Sequence, residues 1–126
     1  MKKKTLIWLL LALAIASVVW LIMTPAKLGK FDSFASCIRD SGAIFYGTFW
    51  CPHCQNQKAM FGSSSRLLPY VECSTPDGKN QLPICRDAEI TGYPTWEFAD
   101  GTRESGEVSL GRLSEITSCP LPESDG

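Results

Sequence analysis

Apolar positions are spread unevenly along this chain. Residues 5–23, from Thr5-Leu6-Ile7-Trp8 to Leu21-Ile22-Met23, form an almost uncharged run with Lys2, Lys3 and Lys4 ahead of it. Nineteen residues at 1.5 Å per residue cover roughly 28 Å, close to the ~30 Å hydrocarbon core of a bilayer. The run is long enough to span a membrane, and Trp8 and Trp20 near its ends suit the two interfaces. Three lysines before it and a less basic far side predict residues 1–4 in the cytoplasm and everything after Pro25 outside. The rival is a cleaved signal peptide, because Ala14-Ile15-Ala16 has the small-x-small form behind a Leu-rich stretch. An uncleaved anchor is the expectation, since the apolar run continues through Val18-Val19-Trp20-Leu21-Ile22-Met23. No cysteine stands in or just after the segment to accept a lipid.

Beyond a short linker, residues 24–30, the pattern changes to that of one small domain, residues 31–119, with a frayed tail over 120–126. Phe31, Phe34, Ala35 and Ile38 recur at helical spacing, and Ser41-Gly42 ends that run. Ala43 to Phe49 is apolar, aromatic and β-branched, which predicts a buried central strand. A helix follows through Gln55 to Phe61, weakened or kinked at Gly62-Ser63-Ser64-Ser65. Leu68 to Cys73 predicts a second strand, Ser74 to Asn80 a turn, and Pro83 to Ile90 a short helix. Thr95 to Phe98 predicts a third strand, turned at Asp100-Gly101 into Arg103 to Val108. Ser109 can cap a last helix with Leu110, Leu113 and Ile116 on one face, closed by Cys119-Pro120.

Charge and cysteine content narrow the class. From Lys30 onward eight Lys and Arg stand against thirteen Asp and Glu, a balance of −5, and no basic stripe is present. Such a domain is a poor nucleic-acid binder. All six cysteines fall in this part, an even number in a small domain, which fits an oxidising compartment.

Candidate chemistry concentrates at Phe49-Trp50-Cys51-Pro52-His53-Cys54, a C-x-x-C at a strand-to-helix turn. Two cysteines three apart at a helix start lie on one face and can open and close a small disulfide. Unpaired N–H groups and the positive end of the helix dipole favour the Cys51 thiolate, the form that exchanges with disulfides. Pro52 suits the first helical turn, where its missing N–H is not needed, and His53 can place an imidazole proton near the Cys51 sulfur. Stabilising the reduced thiolate makes the disulfide form the stronger oxidant, so the expected reduction potential lies well above about −270 mV. A zinc site using Cys73 and Cys85 is the alternative. Those two are twelve apart rather than two to four, so no metal is expected.

The predicted order of helix, strand, redox helix, strand, helix, strand, strand, helix is that of a thioredoxin-like α/β fold, a central mixed sheet flanked by helices, here behind a single transmembrane helix. With the C-x-x-C after the first strand and Tyr93-Pro94 before the third, residues 31–119 resemble the thioredoxin family. The resemblance implies a cis-Pro loop facing the redox pair, with Tyr93 and Pro94 as substrate contacts, and Trp50, beside Cys51, is a third candidate contact. One departure is Phe45, standing where many thioredoxins carry a buried Asp beneath the redox pair. The longer set Phe45-Tyr46-Gly47-Thr48-Phe49-Trp50-Cys51-Pro52-His53-Cys54, Met60-Phe61-Gly62, Tyr70-Val71-Glu72-Cys73 and Gly92-Tyr93-Pro94-Thr95-Trp96 resembles thioredoxin-like domains fused to or paired with bacterial vitamin K epoxide reductase homologues. That resemblance implies a membrane partner of this kind that reoxidises Cys51 and Cys54 and passes the electrons to a quinone. With one hydrophobic span in this sequence, the partner would be a separate chain, and the domain itself would need no cofactor beyond its redox disulfide.

Of the other cysteines, Cys73 and Cys85 are expected to form a structural disulfide, two free thiols being the alternative. Cys37 and Cys119 are left over, on the first and last helices. The family fold usually sets those helices on opposite sheet faces, so their pairing stays open.

The leading expectation is a membrane-tethered, extracytoplasmic thiol-disulfide oxidoreductase that introduces disulfides into reduced exported proteins, which attack Cys51 as the exposed sulfur. Two alternatives stand beside it: a disulfide isomerase or reductant, and a peptide-binding module whose cysteines stay bridged.

Overall fold

The computed structural model describes residues 1–24 and 28–123, so the expected linker and tail fall partly outside the described residues, at 25–27 and 124–126. The elements run α1 (Lys2–Met23), α2 (Asp32–Asp40), β1 (Ile44–Gly47), α3 (Pro52–Met60), a 3₁₀ turn (Gly62–Leu67), β2 (Tyr70–Glu72), α4 (Pro83–Asp87), β3 (Thr95–Glu97), β4 (Arg103–Ser105) and α5 (Leu110–Thr117). Helix α1 starts at Lys2 rather than Thr5, is apolar all round and is exposed throughout. It is long and apolar enough to cross a membrane.

The four strands form one mixed sheet in the order β2-β1-β3-β4, with β1 parallel to β2 and antiparallel to β3, and β3 antiparallel to β4. Alternation along β1 divides the core. Phe45 packs on one face with Phe34, Ala35, Ile38, Trp96 and Leu113, while Tyr46 packs on the other with Cys73, Cys85 and Ile90. This is the thioredoxin-like fold, with α2, α3 and α5 over the first face and α4 over the second.

Two strands are shorter than their apolar runs. Thr48-Phe49-Trp50 leave the ladder after Gly47 to carry the chain into α3, and Gly106, at φ +89°, breaks β4 so that Val108 can enter the core.

Helices α2 and α5 both turn their apolar stripes to the Phe45 face, contrary to the opposite-face placement expected from resemblance. Shared burial brings Cys37 and Cys119 into a disulfide with Cα atoms 5.8 Å apart. The start of the domain is tied down as well. Ser64 Oγ accepts the Phe31 N–H at 3.1 Å, and Arg66 donates twice to the Asp32 carboxylate, both at 2.7 Å. That guanidinium holds the Asp32 carboxyl well below the usual carboxylate range. Its stabilising contribution is therefore present above that range and lost as pH falls through it.

Candidate active site

Strand β1 ends at the sheet's carboxyl edge and delivers Cys51 as the N-cap of α3, with Pro52 at the first helical position. The Cys54 N–H donates to Cys51 Sγ at 3.4 Å, and the Cys51 thiol donates to the Tyr93 carbonyl at 3.7 Å. The Tyr93–Pro94 bond is cis, and the contact of the Tyr93 carbonyl with Cys51 sets the loop before β3 against the first cysteine. Both cysteines are free thiols.

Cys51 is 5% exposed and Cys54 fully buried, which corrects the expectation of an exposed first sulfur. The Tyr93 loop and the core cluster enclose it, leaving a small opening at Cys51 and none at Cys54. Burial pushes the Cys54 thiol up to about 12; its hydrogen bond with Cys51 adds to this, while Thr48 backbone and the Lys58 charge pull the other way. The two sulfurs are thus unequal. Cys51 has the accessible position and the hydrogen-bond donor, and Cys54 is the buried second thiol.

His53 does not turn its ring proton to Cys51. Its Nδ1 pairs with Glu107 Oε1 at 2.7 Å, and Asn56 Nδ2 donates to the same oxygen at 3.0 Å, which together hold the Glu107 carboxyl below its ordinary value. As the second residue of α3, His53 points outward over the segment before α5 and is largely exposed.

Trp50 is half exposed, stands edge-on to the Tyr93 ring at 6.2 Å and donates its Nε1–H to Ser74 Oγ at 2.9 Å. Ser74 belongs to the insertion closed by the Cys73–Cys85 disulfide, whose Cα atoms are 5.5 Å apart. With both sulfurs in that bond, neither is a thiolate available to zinc. No group of three or more metal-binding side chains is present among the described residues. Thr48, Trp50, Ser74, Gly78, Gln81 and Tyr93 line a cleft of about 130 Å³ beside the redox pair.

Phe45 is fully buried, stacked on Trp96 at 4.7 Å and edge-on to Tyr70 at 5.2 Å, so β1 places no carboxylate under the cysteines. Several residues that shape the site carry no motif. Gln57 is fully buried; its Nε2 donates to the Val108 carbonyl, and its Oε1 accepts from Val108 N–H and Trp96 Nε1. It thereby pins the redox helix to the chain ahead of α5. Its place three residues after Cys54 on the buried helix face is the signal that could have revealed it.

Gly47 is another. A Cβ there would stand 2.9 Å from Tyr70 Cε2 and 3.0 Å from Cys54 Sγ. Gly47→Val is expected to destabilise the domain by about 1–3 kcal/mol through overpacking beneath Cys54. Urea unfolding of the full chain in detergent micelles measures this, and an unchanged midpoint would show the site to be loosely packed.

A thioredoxin-like domain with two free cysteines at a helix start, set against a cis-proline loop, defines the class as that of thioredoxin-fold domains carrying a dithiol. Over 98 residues the chain is 42% identical to the thiol-disulfide oxidoreductase LTO1 of Arabidopsis thaliana, a match covering 74% of this chain and 26% of that protein. The chain thus spans about a quarter of that relative's length. No family model matches it.

Proposed function

We propose that this protein is a membrane-tethered thiol-disulfide oxidoreductase that donates the Cys51–Cys54 disulfide to reduced exported proteins. The observation that carries the reading is the placement of Cys51. It caps α3, accepts the Cys54 N–H and lies against the Tyr93 carbonyl of the cis-Pro94 loop, with a cleft beside it. A client thiolate attacks Cys51 Sγ of the oxidised pair, the bond to Cys54 Sγ breaks, and the electron pair leaves on Cys54. The client's second thiolate then attacks its own sulfur bound to Cys51, leaving an oxidised client and a reduced pair. Similarity to a protein named as a thiol-disulfide oxidoreductase supports this class of chemistry.

Trp50 and Tyr93, which line the cleft, supply the client contacts, while the Pro94 side chain is fully buried and contributes by shaping the loop. Cys51, Pro52, His53 and Cys54 form the redox segment, in which His53 acts through its pairing with Glu107. Reoxidation falls to a vitamin K epoxide reductase-like membrane protein that passes electrons to a quinone. Helix α1 is the tether, with Lys2 to Lys4 on the cytoplasmic side and the domain outside. Confinement to one plane raises the local concentration of both partners.

The test is Cys54→Ala, expressed with its own membrane fraction and quenched with acid. Clients and the membrane partner are expected as mixed disulfides on Cys51 that vanish on reduction. Recovery of the variant free of any such adduct, with peptide binding intact, would leave only a binding module.

A further inference from the structure

We propose that Lys58 is the charge partner of Cys54, stabilising its sulfur as it leaves the disulfide as a thiolate, with Tyr70 and Glu72 holding the ammonium in place. The inference rests on the thiol-disulfide exchange reading. It concerns the buried half of the pair, for which β1 provides no charged neighbour.

Lys58 stands four residues after Cys54 on α3, so the two side chains share a helix face. Its Nζ lies 3.4 Å from the centroid of the Tyr70 ring, a cation over the π face. The edge of that ring and Cys54 Sγ approach the same point above Gly47, at 2.9 and 3.0 Å, so ring and sulfur are neighbours. The ammonium thus sits on a flat, uncharged ring whose edge is next to the sulfur. Burial and the bond to Glu72 keep the Tyr70 phenol protonated, and its hydroxyl donates to Glu72 Oε2 at 2.8 Å.

The charges around Cys54 can be followed element by element. From β1 come Phe45 and Gly47, which carry none. From β2 comes Tyr70, neutral, and behind it Glu72, whose other oxygen accepts the N–H groups of Phe49 at 3.3 Å and Ser74 at 2.9 Å. From α3 come Cys51 and Lys58. The carboxylate is occupied by three donors, which leaves Lys58 as the cation among these groups.

This matters at one step. When a thiolate bonds to Cys51 Sγ, the Cys51–Cys54 bond breaks and both electrons stay on Cys54 Sγ, a sulfur without solvent contact. An apolar wall makes a poor environment for that anion, and a leaving thiolate departs more slowly the less it is stabilised. Lys58 opposes the effect of burial on Cys54.

The experiment uses the full chain in detergent micelles, oxidised at Cys51–Cys54, and follows second-order opening of that disulfide by dithiothreitol at pH 7. Lys58→Met is expected to open about five- to tenfold more slowly than wild type, and Lys58→Arg within about twofold of it. Alkylation of Cys51 in the reduced Lys58→Met protein, at an unchanged rate, verifies an intact site. Wild-type rates in Lys58→Met would overturn the inference and leave the oxidoreductase reading standing. Equal slowing in Lys58→Arg would also overturn it, by showing that the lysine acts through packing and not charge. A wild-type disulfide that dithiothreitol does not open would remove both readings together.

Discussion

Cys51→Ser is expected to lower catalysed oxidation of a two-cysteine peptide by a factor on the order of 10³ or more, to the uncatalysed rate. The serine oxygen caps α3 as well as sulfur does and still accepts the Cys54 N–H, so the fold should survive. It cannot form the bond that is exchanged. The remaining thiol, Cys54, is fully buried, is pushed up to about 12 and has Gly47, Tyr70 and the core around it, so it offers no second route. The assay is single-turnover oxidation of the peptide by the oxidant-treated protein, read by mass. Oxidation by the serine variant at even a tenth of the wild-type rate would mean that the chemistry resides elsewhere, and would remove the asymmetry between the two sulfurs as its basis.

The second large effect is on stability. Replacing both Cys37 and Cys119 by serine releases a loop with a sequence separation of 82, against 12 for Cys73–Cys85. In the chain-entropy account the long loop contributes about 4.5 kcal/mol and the short one roughly 3. For a domain of this size 1 kcal/mol moves Tm by about 4–8 °C, so the Cys37/Cys119 variant should melt at least ~15 °C lower. Cys119 is also buried against the core, which adds to the loss when its sulfur becomes a hydroxyl. Urea midpoints of the two double-serine variants, each with Cys51 and Cys54 untouched, make the comparison. A smaller shift for Cys37/Cys119 than for Cys73/Cys85 would contradict loop closure as the source of the stabilisation.

Much of the site was legible because its parts are local. Cys51 and Cys54 lie three apart, Pro52 sits at a position that favours proline, and the strand-like run before them ends in a helix start, all within ten residues. Tyr93-Pro94 was placed by resemblance, ahead of the third apolar run. Contacts made at a distance were less visible. His53 meets Glu107 across 54 residues, and nothing in a solitary glutamate between Gly106 and Val108 marks it as a partner. Gln57 reads as an ordinary helix residue until the chain before α5 supplies Val108 to it, 51 residues on. Gly47 reads as a weak spot in a strand; only Tyr70 and Cys54 converging on it explain why no Cβ fits.

The chain by itself determined its apolar first helix, the order of its elements and the pair of cysteines at a helix start, because these follow from periodicity, turn residues and spacing over a few residues. Tertiary structure alone decided which face of the sheet each helix covers. Amphipathic stripes on α2 and α5 say that each must bury one side, but not against which face of β1. Because both settled on the Phe45 face, Cys37 reached Cys119. The pleat and register of β1 and β2 in the same way brought Tyr70 beside Cys54, a neighbourhood that distance along the chain does not show.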